Sequence, residues 1–272
     1  MKKYLLSLLF VGLALFGYSQ TSTPTEESYF PDRPGFSCNP YSVGLHRTDY
    51  ETSVGYNTNY GAGSRMFYQT NLFRFGMYKH LEFRLGLEFG SLSSLDSVGN
   101  PNPEITGIRA VYIGAKIPII SNIKYLPDVA ILTQVNFLKL GKPEFYLSVP
   151  QNDYSPQAVL LLSKGFGKFM VMGNVGIWYD GYNPYAQGLY SVCVCYSITP
   201  KFGTFIESYS FFNSRNAPLN FGDLGFNYYI TDNLMVDISC GNQYFLDTKS
   251  LQVTNPFFLN CGISWRIPNK HQ

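Results

Sequence analysis

The sequence carries little charge: Asp, Glu, Lys and Arg make up 14% of its 272 residues and nearly cancel, leaving a formal charge of +2. That balance, with no basic cluster, gives no surface for nucleic acid. Histidine is scarcer still, at three residues, so chemistry that needs an imidazole base has few places to sit. Beyond the N-terminus no apolar run approaches the roughly 18 residues that suggest a membrane helix. The five cysteines, Cys38, Cys193, Cys195, Cys240 and Cys261, are odd in number and irregularly spaced, which is no disulfide framework. Cys193 and Cys195 share a strand face; with no His or second ligand pair nearby they read as small wall residues rather than a metal pair. No cofactor motif is present.

Aromatic residues, by contrast, are abundant at 17%, with 22 Tyr and 22 Phe, and glycine reaches 25. Their order along the chain is what carries information. From Leu81 to Phe89 every odd position is large and apolar, namely Leu81, Phe83, Leu85, Leu87 and Phe89. The even positions are Glu82, Arg84, Gly86 and Glu88. Successive side chains of a strand point to opposite faces, so this segment has one wholly apolar and one wholly polar face. The run before it puts Phe73, Phe75 and Met77 on one face and Leu72, Arg74 and Gly76 on the other.

One such hairpin suits a soluble sandwich equally well. Repetition decides between them. Twelve strands are expected, near 50–57, 66–77, 81–90, 107–118, 128–138, 157–163, 169–179, 188–198, 202–212, 220–230, 234–242 and 256–267. Short turns alternate with long loops at 91–106, 139–156 and 246–255, the asymmetry of short periplasmic turns and longer extracellular loops. In strand after strand, charge and glycine share the face opposite the apolar residues. The ninth strand is the weakest, and there Glu207 is turned inward because charge on a lipid face is costly. The fold class expected is therefore all-β: a transmembrane antiparallel up-and-down β-barrel of about 12 strands.

Residues 1–19 read as a cleaved signal peptide, with Lys2 and Lys3 before the apolar run Leu5 to Phe16 and small residues before a cut at Gln20. Residues 20–47, polar and proline-containing, read as a periplasmic N-terminal arm that enters the barrel mouth, and 48–272 as the outer-membrane barrel. Asn260, Gly262, Trp265 and Ile267 are spaced like the C-terminal signal read by the barrel assembly machinery, although Pro268 to Gln272 follow. The lipid bilayer and that machinery are the expected partners, with a small solute that the sequence does not name.

Several short stretches together resemble a known outer-membrane transporter family, named for the meta-cleavage pathway of phenol degradation. They include the DRPG of Asp32–Gly35, Arg74-Phe-Gly76 with Glu82-Phe-Arg84-Leu-Gly86, Gly114-Ala-Lys116, Phe205-Ile-Glu207, Asp223-Leu-Gly225 and Gly262-Ile-Ser-Trp-Arg266. Phe137 to Gly141 departs from the family's pattern at the third outer loop. The resemblance implies an outer-membrane barrel that passes small molecules, with hydrophobic or aromatic ones the candidates.

The lumen-facing charges are the site candidates for lining and selectivity: Glu51, Arg74, Glu82, Arg84, Glu88, Lys116, Glu207, Asp223, Asp237 and Arg266. Their bland alternative is mutual neutralisation in a narrow barrel. Arg74 is expected to lean toward its diagonal neighbour Glu82, and Arg84 toward Glu88, Glu207 or Asp237. Catalysis is not expected. No histidine falls on an outer-rim strand beside a serine, and Glu82 and Glu88 lie about 20 Å apart along one strand, too far for glycosidase chemistry. The rival to a channel is a structural or docking barrel that partners a secretion or envelope complex.

Overall fold

Period-two alternation over segments of 10 to 16 residues produces strands, and every one of the twelve expected strands forms within three residues of its anticipated ends. They are β1 (Thr48–Thr58), β2 (Arg65–Tyr78), β3 (Leu81–Ser93), β4 (Ile105–Ile120), β5 (Asp128–Phe137), β6 (Tyr154–Phe166), β7 (Phe169–Trp178), β8 (Gln187–Ser197), β9 (Phe202–Phe212), β10 (Leu219–Thr231), β11 (Leu234–Tyr244) and β12 (Phe257–Ile267). A computed structural model describes residues 29–58, 64–96, 98–142, 145, 152–181, 185–215, 218–244 and 256–268. The signal segment 1–19, residues 20–28 of the arm, residues 143–144 and 146–151 of the 139–156 loop and all of the 246–255 loop lie outside the described residues.

Each strand pairs antiparallel with its sequence neighbours, and β1 closes on β12, so no edge is left. Closure pairs the strand backbones with one another and leaves no open sheet edge, the condition for crossing a bilayer with strands. No described helix is long and apolar enough to cross a membrane.

The distribution of side chains is inverted relative to a protein in water. Among the most buried side chains are Arg74 and Lys116, each 0% exposed, whereas Ile206 is 63% and Trp265 41% exposed. Leu85, Ile113, Ile131, Ile238 and Ile263 are exposed as well. An apolar belt of this extent has lipid as its solvent. β9 obeys the expected parity, with Phe205 and Glu207 buried inside and Ile206 outside.

The β2–β3 hairpin differs in detail from its sequence reading. The turn is two residues, Lys79 and His80, and a bulge between Gly76 and Tyr78 absorbs Met77. Because the bulge compensates for the shorter turn, Gly76 still faces Glu82 and Arg74 still faces Arg84. The short turns 79–80, 167–168 and 232–233 share one end of the barrel with the arm that precedes β1. In intact cells a thiol reagent should therefore reach Ser94→Cys or Asn100→Cys and miss Lys79→Cys. Labelling at position 79 would reverse the orientation.

Candidate functional site: a lumen closed by its own N-terminal arm

The polar faces of twelve strands would leave a channel lined with charge, but residues 29–47 run inside it. The DRPG stretch makes the principal contacts. The Asp32 carboxylate accepts from Lys116 Nζ at 2.6 and 2.9 Å and from Arg84. Arg74 lies 3.8 Å from it. Burial alone would raise this carboxyl, but the three cations outweigh it and hold Asp32 well below the usual carboxylate range. Arg74 donates to Glu51 at 2.8 Å and to both oxygens of Glu82 at 2.9 Å. It also grips the arm backbone at the Phe30 and Tyr41 carbonyls, each 3.1 Å away. Glu51 and Glu82 in turn accept from the arm amides of Asp32 and Val43 at 3.0 and 3.1 Å.

The charge count explains the fit. The wall supplies three cations, Arg74, Arg84 and Lys116, against two anions, Glu51 and Glu82; the arm's Asp32 is the third anion. A buried cation without a counter-charge is costly, so an empty lumen would be destabilised at this cluster.

Arg33 and Gly35 of the motif, and the residues after it, have contacts of their own. Arg33 donates to Asp237 at 2.7 and 3.1 Å and to Asn260. Gly35 adopts φ +94°, a conformation open to glycine, and a Cβ there would meet Glu207 Oε2 at 2.8 Å. That close approach aims the amides of Phe36 and Ser37 at the Glu207 carboxylate, at 2.6 and 2.7 Å. Ser37 meets Ser191, hydroxyl to hydroxyl, at 2.6 Å, and Tyr41 donates to Asp128 at 2.8 Å.

The lean of Arg74 toward Glu82 is as its register implies. That of Arg84 is not: it reaches Asp32 and Glu82 rather than Glu88, Glu207 or Asp237, because the arm brings a closer carboxylate. Glu88 instead pairs with Arg109. Strict alternation would put Arg109 with Val111 and Ile113 on the lipid face, but a bulge opposite Glu88–Phe89 turns it inward. A charge on apolar parity was the signal for that bulge. The space over Gly76 is taken by the arm: an added Cβ would sit 1.5 Å from the Gly44 carbonyl oxygen.

Arg266 pairs with Asp49 across the β12–β1 closure at 2.9 Å and lies over the Tyr29 ring. Two residues with assembly-signal spacing also serve the plug. Asn260 accepts from Arg33, and a Cβ on Gly262 would strike that guanidinium at 2.3 Å; Trp265 faces outward. Asp223 faces Glu207 in the β9–β10 register, and its Oδ1 has no hydrogen-bond partner among the described residues.

Among the described residues a cavity lies at each end of the arm. The cavity at the short-turn end holds about 490 Å³ and is lined by Asp32, Tyr41, Met170, Met172, Cys195 and Lys201 among others. The opposite one holds about 590 Å³ and combines aromatic residues, Phe36, Tyr68, Tyr209, Phe221, Phe257 and Phe258, with polar ones that include Arg33, Asp223 and Asn260. Phe36 stacks on Tyr209 at 4.4 Å, and Tyr209 stacks on Phe221 at 5.0 Å. Arg33 touches both cavities.

Residues 31–258 match the family described as "Putative MetA-pathway of phenol degradation". An outer-membrane channel from Pseudomonas putida F1 shares the fold at a TM-score of 0.60 and 12% identity, over 91% of this chain and 100% of its own. The NanC porin does so at a TM-score of 0.53 and 11% identity, over 80% and 100%. No curated protein matches the sequence significantly.

Proposed function

Since this chain belongs to the phenol-degradation MetA-pathway family, a family of outer-membrane barrels, we propose that it is an outer-membrane channel for small, largely apolar aromatic molecules, with residues 29–47 as its plug. The observation that carries this reading is the aromatic cavity directly above the docked arm. Its stacked floor of Phe36, Tyr209 and Phe221 includes one residue from the arm itself, so filling or leaving the cavity acts on the plug. Ring stacking there is worth about 0.5–1.5 kcal/mol per pair beyond area burial. We read the barrel as non-catalytic, its charged residues being engaged in holding the arm.

In this reading a solute enters from outside, settles in the aromatic cavity, and passes to the short-turn cavity when the arm yields at Arg33. Proteoliposome swelling tests it. Benzyl alcohol should permeate faster than a polyol of similar mass, and Phe221→Ala should narrow that difference. Equal rates for both solutes would refute aromatic preference. No permeation at all, together with a co-purifying protein, would favour a docking barrel.

A further inference from the structure

Two cysteines on one strand do not make a metal site without further ligands, and the barrel supplies them from the adjacent strand. Met170 on β7 is the register partner of Cys195 on β8, and Met172 is that of Cys193. All four side chains turn inward and belong to one packed cluster, in which Met172 and Cys193 are buried with Phe205 and Met170 and Cys195 pack against them. The two thiol sulfurs stand 3.6 Å apart. With metal–sulfur bonds of ~2.3 Å, the edge of a tetrahedral sulfur site is about 3.8 Å, so the thiols are spaced as two ligands of one ion.

From this geometry we propose that Met170, Met172, Cys193 and Cys195 form a binding site for a soft monovalent cation, Cu(I), for which Ag(I) is a redox-inert substitute. Thiolate with thioether is the donor set that selects Cu(I), whereas hard divalent ions require oxygen ligands. Oxygen donors do not compete at the site. The nearest carboxylate in register, Glu207 opposite Cys193, is occupied by the amides of Phe36 and Ser37. Access is open, because Met170, Met172 and Cys195 line the short-turn cavity, with Lys164, Lys168 and Lys201 also in its wall. On binding, each thiol releases one proton as its sulfur bonds to the ion. No electron is transferred, and the resulting anionic centre lies in a cavity whose wall carries those lysines.

The test uses full-length protein in detergent with Cys38, Cys240 and Cys261 replaced by serine, so that only two thiols remain. Cu(I) is titrated anaerobically against a chromogenic Cu(I) chelator, and Ag(I) is followed by native mass spectrometry. One equivalent should be retained, the free-thiol titre should fall from two to none, and two protons should be released. Cys193→Ser should lose retention. The pair Met170→Leu with Met172→Leu should weaken it against the chelator while both thiols still react, and heat-modifiable migration on gels confirms that each variant is folded. Retention unchanged by the methionine pair would overturn the site, as would equal retention of Zn(II). So would a Cys193–Cys195 disulfide in protein isolated without reductant, or the absence of any bound ion.

Discussion

Replacing Arg74 and Arg84 together with alanine is expected to release the arm and open the lumen. The cluster around Asp32 is balanced at three cations and three anions; the double variant leaves Lys116 facing Asp32, Glu51 and Glu82. Removing one partner from a buried ion pair costs about 3–5 kcal/mol because the other charge stays buried. Undocking relieves that cost by returning Asp32 to water. The arm also loses the two backbone carbonyl contacts that Arg74 makes at Phe30 and Tyr41. Single-channel conductance in planar bilayers should rise severalfold. The exposed Glu51 and Glu82 should turn the remaining selectivity toward cations, as charged rings do in pores. If conductance and selectivity both stay at wild-type values, these arginines are wall filling.

An arginine on the lipid face should be felt most at mid-bilayer. Ile206 is near the centre of β9 and faces outward, one residue from the buried Glu207. Ile206→Arg should destabilise the barrel by about 2–4 kcal/mol, whereas Phe83→Arg, close to the 79–80 turn, should cost only about 0–1 kcal/mol because depth sets the penalty. Denaturant titration of folding into lipid vesicles measures both. Equal losses would mean that β9 is misplaced in depth, and no loss for Ile206→Arg would mean that its outer face does not meet lipid.

The barrel was legible in the sequence because its rule is local. Alternation with period two assigns each residue a face without knowledge of any distant partner, and on weakly patterned β9 the cost of a charge in lipid decides which face is Glu207's. Register near a turn was legible too, which is why Arg74 was matched with Glu82. The plug was not legible beyond an arm at the barrel mouth, because its contacts are remote in sequence. Asp32 and Lys116 are 84 residues apart, and Arg33 and Asp237 are 204 apart. DRPG could be seen as a motif, but which wall charge each residue meets depends on closing the whole barrel. Bulges were the other blind spot. One extra residue reverses parity, and so Arg109 was left off the lumen although Glu88 needed it. The methionine partners of Cys193 and Cys195 were hidden for a related reason, since Met170 and Met172 become neighbours only through the β7–β8 register.

If the arm is a plug that must yield for solute to pass, a reversible cross-link between arm and wall should block the channel. Ser37 and Ser191 already touch at 2.6 Å between hydroxyl oxygens, so Ser37→Cys with Ser191→Cys, made with the native cysteines replaced, can join arm to wall by a disulfide. Uptake of benzyl alcohol into proteoliposomes should stop in the oxidised protein and return on reduction. Equal uptake in the locked and unlocked states would contradict the account, because solute would then be passing a fixed arm.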